Sequence, residues 1–421
     1  MDDSTLPSVA NRASRMGAAA GNRAAIVRYG CWTCLLWMIC APAPALADWT
    51  ATPYAAEAIE HNTDIFDLPK NGPVPVGKKG ATFADTFFET RAGIEGTYLL
   101  DQQKFFGTAE FRRFQYDNFT DLNHNEELLD GGLNWKLARV VDGLLEYKHE
   151  QRMAQFFDLA GATNLILETE NTANASVNVN VTPEWRLESR ARDRNLASPR
   201  TDVPGLSLHE DSIHEGLRYL GVANLSAGVD AEYLRGRYKN DPIALNPNYH
   251  QVSVFLAANY VVSGLTNFNG NLGYTSRVDP TNAGLSGITG AIGYQHSLSG
   301  KTSISVQLNR ALSTYVSTGG NEIDTSATAA VNWQATYKIG FRAGYGYTHS
   351  KYPQTPDGAL TIDRSDNFQT ASLEMAYQVL HWLSIRPYAR YQTRHSNIQI
   401  NSFDSNIVGI EFLAKKQRPN R

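Results

Sequence analysis

No cysteine follows Cys40, no run of eighteen apolar residues occurs, and the short signatures of hydrolase and nucleotide chemistry are missing. Each absence removes a class. Without thiols beyond residue 40, the body of the chain forms no disulfide, holds no metal through thiolate and has no cysteine nucleophile. Without a long apolar run, a transmembrane helix is not expected. HExxH, GxSxG and the P-loop pattern are all absent, so no catalytic residue, metal site or cofactor is assigned. Positive charge is also scarce, with 38 Lys and Arg against 42 Asp and Glu. Nucleic acid is therefore not an expected partner.

The cysteines sit in a different kind of segment. CWTCLLWMICA (Cys31–Ala41) is a short apolar core preceded by Arg23 and Arg28 and followed by APAPALA, ending in the small-x-small site Ala45-Leu46-Ala47. This reads as a secretory signal over residues 1–47, cut before Asp48, with Met16 as an alternative start. Its removal takes away two acidic and four basic residues, leaving 34 basic against 40 acidic, net −6.

What fills the rest of the chain is alternation. In ANASVNVNVT (Ala173–Thr182), Ala173, Ala175, Val177, Val179 and Val181 fall on one face, and Asn174, Ser176, Asn178, Asn180 and Thr182 on the other. A strand separates these sets and a helix mixes them. DTSATAAVNWQATY (Asp324–Tyr337), NFNGNLGYT (Asn267–Thr275) and IGFRAGYGYTHS (Ile339–Ser350) repeat the pattern. Alternating segments of about ten residues mark transmembrane strands, and the polar lumen face of such strands keeps the composition at 42% hydrophobic and 19% charged.

Connections also alternate. Short turns fall near Asp101, Arg139, Pro183, Ala223, Gly264, Gly300, Lys338 and Trp382, and longer polar loops near 67–84, 117–125, 153–168, 196–211, 239–248, 278–286, 314–322, 353–367 and 396–404. Eight short and nine long connections imply 18 strands, the first around Trp49–His61. The expected fold is all-β: a transmembrane antiparallel up-and-down β-barrel of about 18 strands, 16 at the least, over residues 48–413, followed by a polar tail at 414–421. Short turns recur every 36–44 residues. That period also suits a propeller, but a blade would need four strands where each period holds two long ones.

Aromatic residues mark both ends of the hairpins. Trp135, Trp185, Trp333 and Trp382, with Tyr337 and Phe341, lie beside short turns, and Tyr116, Tyr238, Tyr249, Tyr274, Tyr352 and Phe403 lie toward long loops. The two groups are expected to form interface girdles. If the apolar face meets lipid, the polar face lines water. WRLESRARDRN (Trp185–Asn195) then sends Arg186, Glu188, Arg190, Arg192 and Arg194 inward, with Asp193 on the outer face near the strand's far end. Arg386, Tyr388, Arg390 and Arg394 line a second strand, Glu146, Lys148, Glu150 and Arg152 a third. Asp230, Glu232, Arg235 and Arg237 line a fourth if the register shifts near Leu234.

Such charges have two readings. They pair across the ladder and keep a wide barrel wet, or they form an arginine ladder selecting an anionic or hydroxylated solute. The 386–394 strand, with three arginines and no acid, is the better candidate for selection, and Tyr388 is placed to stack on a sugar ring. HEDSIHEG (His209–Gly216) resembles a metal cluster, but a five-residue histidine spacing shares neither a helix face nor a strand face, so it reads as a polar boundary segment.

The chain resembles the β-barrel porin family found with bacterial exopolysaccharide biosynthesis loci. The likeness is sharpest in NFTDLNHNEELLDGGLNWKLARVVDGLLEYKHEQRMAQFFDL (Asn118–Leu159), where a loop, a strand ending in Trp, a short turn and a charged strand run in series. The resemblance implies a Gram-negative outer-membrane channel serving export of a secreted polysaccharide, with outer-membrane lipid, the polymer and the barrel-assembly machinery as partners. It supplies no site residues, and the tail LAKKQRPNR after Phe412 departs from barrels that end on an aromatic residue. Two rival readings stand beside it: a structural or glycan-binding barrel with a plugged lumen, and an outer-membrane lipid-modifying enzyme.

Overall fold

The alternation is realised as a closed antiparallel barrel. The computed structural model describes residues 49–156, 163–199, 207–239, 248–279, 282–315, 320–352 and 364–416. The strands are β1 (Trp49–Asn62), β4 (Asp85–Leu100), β5 (Gln103–Tyr116), β6 (His124–Leu137), β7 (Val141–Met153) and β8 (Leu167–Asn180). They continue as β9 (Trp185–Ala197), β10 (Ser207–Val222), β11 (Leu225–Lys239), β12 (Asn248–Ser263), β13 (Thr266–Asp279) and β14 (Asn282–Ser299). The last six are β15 (Thr302–Tyr315), β16 (Gly320–Gln334), β17 (Ile339–Tyr352), β18 (Arg364–Leu380), β19 (Leu383–Ser396) and β20 (Phe403–Lys415). Within the first long loop, β2 (Val76–Gly77) and β3 (Gly80–Ala81) form a small separate ladder.

Each barrel strand pairs with its chain neighbours, and β1 closes the ring between β20 and β4, giving 18 strands. Ala56 stands opposite Leu413 on one side and Arg91 on the other. The first strand is therefore part of the barrel, and the last runs to Lys415, two residues past the expected boundary. The signal reading over 1–47 lies outside the described residues.

The outer wall exposes Leu129, Leu145, Ile213, Val254, Leu256, Leu272, Ile288, Ile292, Leu308, Leu373 and Val408. The residues between them in sequence, polar more often than not, point inward. Apolar outside and polar inside suits a bilayer, and closure satisfies every ladder group without an edge.

All eight short turns are where expected. Asp101, Ala138 and Asn224 take left-handed backbone there, with φ of 54°, 56° and 67°. Asp and Asn tolerate this through their short polar side chains, and Ala138 bears the steric cost uncompensated. Several of the nine long loops are shorter than expected, two of them markedly. Asp279 pairs with Asn282, so the 278–286 segment is mostly strand. Tyr315 pairs with Gly320, which shortens the one at 314–322 likewise. A hairpin that extends past the bilayer meets water on both faces and loses its alternation, so polar strand ends read as loop.

Candidate functional site

The candidate site is the lumen. On β9, Arg186, Arg190, Arg192 and Arg194 share the inward face with Glu188. Arg186 Nη2 donates to Asp142 Oδ2 at 2.9 Å and its Nε lies 3.6 Å from Glu188. Arg194 bridges three strands, donating to Glu170 Oε1 on β8 at 2.9 Å and to Glu210 Oε2 on β10 at 3.0 Å. These two arginines are wall ties. Arg190 is more than half exposed and lies 3.4 Å from Glu188. Arg192 forms no ion pair among the described residues and is exposed to the lumen.

On β19, Arg386, Tyr388, Arg390 and Arg394 also face inward, but they do not form a free ladder. Arg386 Nη1 pairs with Glu411 Oε1 at 3.2 Å, and Arg91 holds the other oxygen of the same carboxylate. Arg394 is buried at the long-loop end, donating Nε to the Asn401 carbonyl with its guanidinium 5.2 Å from the Phe403 ring centroid. It holds the β19–β20 loop rather than lining open water. Tyr388 donates to Glu60 Oε2 at 2.7 Å, and its ring lies flat over Gly409, where a Cβ would come within 2.4 Å of it. Wall contacts therefore occupy the hydroxyl and one ring face, while Tyr388 also lines an inner concavity of about 490 Å³. Arg390 carries no ion pair among the described residues and borders the same concavity.

Two inner concavities gather these groups. The larger, about 920 Å³, is lined by Arg190, Arg218, Arg342, Asp230 and His214 among polar neighbours such as Asn269. Three arginines line it against Asp230, and Glu188 lies 3.4 Å from Arg190 and 3.6 Å from Arg218, so the arginines outnumber the carboxylates by one. The smaller, about 490 Å³, balances Arg91, Arg342, Arg386 and Arg390 against Glu60, Glu89, Glu374 and Glu411. Arg342 on β17 borders both and makes no ion pair among the described residues, although Glu374 stands opposite it in register. The sequence put Arg342 on the polar face without making it a candidate. Arg218, which donates to Asp230 Oδ2 at 2.8 Å, was missed altogether. Counting even positions forward from His214 would have found it.

The register shift expected near Leu234 does not occur. β11 stays in step with β10 and β12 through Leu234, so Arg235 and Arg237 point outward while Asp230 and Glu232 point inward. The other inward sets hold: Glu146, Lys148, Glu150 and Arg152 alternate with the exposed Leu145 and Tyr147.

At the long-loop end, the first loop turns in against the wall. Ile65, Phe66 and Leu68 pack with Tyr116, Phe119, Leu122 and Phe156, supported by Phe87 and Phe114 on the inward faces of β4 and β5. Phe66 meets Phe119 and Phe156 edge-on at 4.7 and 5.0 Å. Asp64 accepts the Leu68 amide at 3.2 Å, and burial pushes its carboxyl up to about 6. The buried Asp85 carboxylate accepts the amides of Asn118 and Phe119, fixing the neighbouring loop. A second apolar cluster, Leu196, Leu208, Tyr238 and Tyr249, lies on the inward face of β9–β12.

The tryptophans of the short turns gather at one end of the barrel. Trp185 packs on Tyr219 at 5.0 Å and Trp333 stacks on Phe341 at 5.4 Å, both half exposed. Trp135 lies over Gly143, and Trp382 sits in the β18–β19 turn, its carbonyl accepting the Lys415 amide. The long-loop girdle is different. Tyr116, Tyr238, Tyr249 and Phe403 are buried on the inward face, Tyr352 packs beneath the Arg364 guanidinium, and of the six only Tyr274 is exposed outward. Nearness to a loop says nothing about face. The parity of each position along its strand does.

His209 and His214 fall on opposite faces of β10, as their spacing requires. His209 instead meets Asp193 and Asp211 on the outer wall, Nε2 lying 3.5 Å from each carboxylate. Asp193 is therefore outward, in the register expected from the sequence.

No protein-family model and no curated protein matches the chain. Among solved structures it is similar to OpdQ of Pseudomonas aeruginosa, with 11% identity, 88% of this chain and 100% of that chain covered and a TM-score of 0.47. It is also similar to OccAB3 of Acinetobacter baumannii, with 10% identity, 88% and 100% coverage and a TM-score of 0.46. A third is OccK2 (OpdF) of Pseudomonas aeruginosa in complex with glucuronate, with 13% identity, 88% and 99% coverage and a TM-score of 0.46.

Proposed function

We propose that the protein is an outer-membrane channel whose lumen favours anionic, hydroxyl-bearing solutes. The closed barrel with an apolar outer wall supports the membrane placement. The observation that carries the preference is the larger concavity, lined by Arg190, Arg218 and Arg342 against Asp230. Guanidinium groups offer forked donors to carboxylate and phosphate, and the neighbouring Asn and Ser side chains serve sugar hydroxyls. Planar-bilayer recording of the purified protein tests the reading: a conductance with anion preference is expected, and none under any salt or voltage would overturn it. Export of a secreted polysaccharide is the finer form of this proposal. It rests on the family resemblance of Asn118–Leu159, and loss of secreted polymer on gene deletion, restored by the wild-type chain, would support it.

A second reading follows from the inward first loop. If residues 63–84 seal the mouth, the barrel is a binding or structural element. Deleting Asp64–Thr82 distinguishes the two: a channel gains conductance from a non-zero baseline, whereas a plugged barrel conducts only after the deletion.

A further inference from the structure

The outer wall is not uniformly apolar. Glu215 points outward from β10 between Ile213 and Leu217, which are 57% and 45% exposed. It stands opposite Ser189, four residues along β9 from the Trp185–Tyr219 pair. At about 3.3 Å per residue and a tilt near 40°, that is roughly 10 Å above the girdle, inside an apolar band about 25 Å tall. Ser189 Oγ donates to Glu215 Oε2 at 2.6 Å, and no other partner meets this carboxylate among the described residues. Higher on the same wall stand Asp193 and Asp211. Beside them, β11 presents Arg235, Arg237 and Lys239 outward in succession. Elsewhere the wall near the level of Glu215 carries Leu272, Ile288, Val331, Tyr345 and Leu373, all exposed, while nearer the long loops Glu57, Glu127 and Arg310 also point outward.

A carboxyl group facing lipid finds no donor there, so ionisable side chains within the apolar band ordinarily meet protein. The residues around Glu215 permit close approach: Ser189, Ala191 and Ala231 are small. An outward hollow of about 900 Å³, bordered by Ala173, Ala175, Ala191 and Ile213, lies alongside. The acidic column of β9–β10 and the cationic column of β11 are side by side. A two-fold axis parallel to the barrel would set β10 of one copy against β11 of the other. Asp211, which lies 3.4 Å from Arg235 of its own chain, would then also face Arg235 of the other copy, and Glu215 would face the Tyr233 hydroxyl. Such a surface complements itself, which is what a two-fold contact requires. A phosphorylated lipid would suit the cations but not the acids beneath them.

We propose that the β9–β11 wall is where two copies of this chain meet in the membrane. The proposal rests on the membrane-spanning part of the reading above and not on conduction. Ala231→Cys lies on β11 opposite Glu215, below the cationic column, and the chain's own cysteines all precede residue 41. A short bis-maleimide applied to membranes carrying the full chain is expected to give a covalent homodimer with Ala231→Cys. It is expected to give none with Ala329→Cys on the outward face of β16, nor with the unmodified chain. Equal crosslinking of both variants, no dimer, or a product containing a different protein would overturn the proposal. Glu215→Leu supplies a second measurement. On a lipid-facing wall it removes a burden and changes no association. At the interface it should weaken dimerisation about tenfold in detergent sedimentation, with Glu215→Gln restoring most of it. Unchanged association refutes the interface. So does a monomer that binds lipid A and loses it with Arg235→Gln and Arg237→Gln. Monomeric Glu215→Leu that still conducts leaves the channel reading intact, whereas a chain that never inserts defeats both.

Discussion

Removing both Arg190 and Arg342 takes two positive charges from the larger inner concavity. A sphere of its volume, about 920 Å³, has a radius of about 6 Å, so a monovalent solute at its centre lies about 6 Å from each guanidinium. In water that separation is worth ~0.7 kcal/mol, and screening at physiological salt roughly halves it. An anion loses ~0.35 kcal/mol per arginine and a cation gains as much, so two arginines move the ratio by ~1.4 kcal/mol, about tenfold. Arg190→Gln with Arg342→Gln should therefore lower the anion-to-cation permeability ratio about tenfold, read as a reversal-potential shift under a KCl gradient. The control is Arg186→Gln with Asp142→Asn, which deletes a 2.9 Å pair and leaves the net charge unchanged. Its ratio should stay at the wild-type value. If the first variant moves the ratio by less than about twofold, or the control moves it as far, the lumen charge does not set selectivity.

Three other outcomes follow from the walls. At Gly236 a Cβ would stand 1.9 Å from the Tyr249 ring, which is held by Glu210 at 2.5 Å and by the Arg277 guanidinium 3.7 Å from its centroid. Gly236→Ala should cost about 2–4 kcal/mol in urea unfolding from vesicles, whereas Gly131→Ala, whose nearest contact is 3.6 Å away, should be near neutral. Equal midpoints for the two would refute the packing account. Phe66→Ala should cost the first loop about 3 kcal/mol or more of local stability and raise single-channel conductance. An unchanged conductance would show that this loop does not narrow the mouth. Asp64 is pushed up to about 6 by burial, so the folded loop holds its proton more tightly than the open chain does. Loop stability should then fall as pH rises from the ordinary carboxylate range through about 6, and stay lower above it. Hydrogen-exchange protection of Leu68, corrected for intrinsic rate, should follow that slope, and Asp64→Asn should abolish it.

The fold was legible because one physical rule, parity along a strand, governs almost every position. The Ala/Val and Asn faces of β8 and the eight short turns follow from period and turn chemistry alone. The inward arginines of β9 do too. What parity does not supply is the neighbour. Arg194 and Arg390 look alike in sequence, yet one bridges Glu170 and Glu210 while the other has no ion pair among the described residues. The difference lies in strands tens of residues away, set by the register of the sheet. Asking for a run of arginines with no acid on the same strand was therefore the wrong test. Arg386 is neutralised by Glu411 on β20, which no inspection of residues 386–394 reveals.

The same reasoning corrects the reading of Arg235 and Arg237. A register shift near Leu234 was assumed in order to keep all charges inside the barrel. The strand does not shift, and the charges go out. On the outer wall they stand beside Asp211 and above Glu215, so the apparent exception to the pattern coincides with a stretch of wall poorly suited to lipid. Parity held through the middle of β11 is what makes that stretch informative. Once the register is held, an outward carboxyl within the apolar band is no longer a sign of misplaced alternation and has to be answered by a partner.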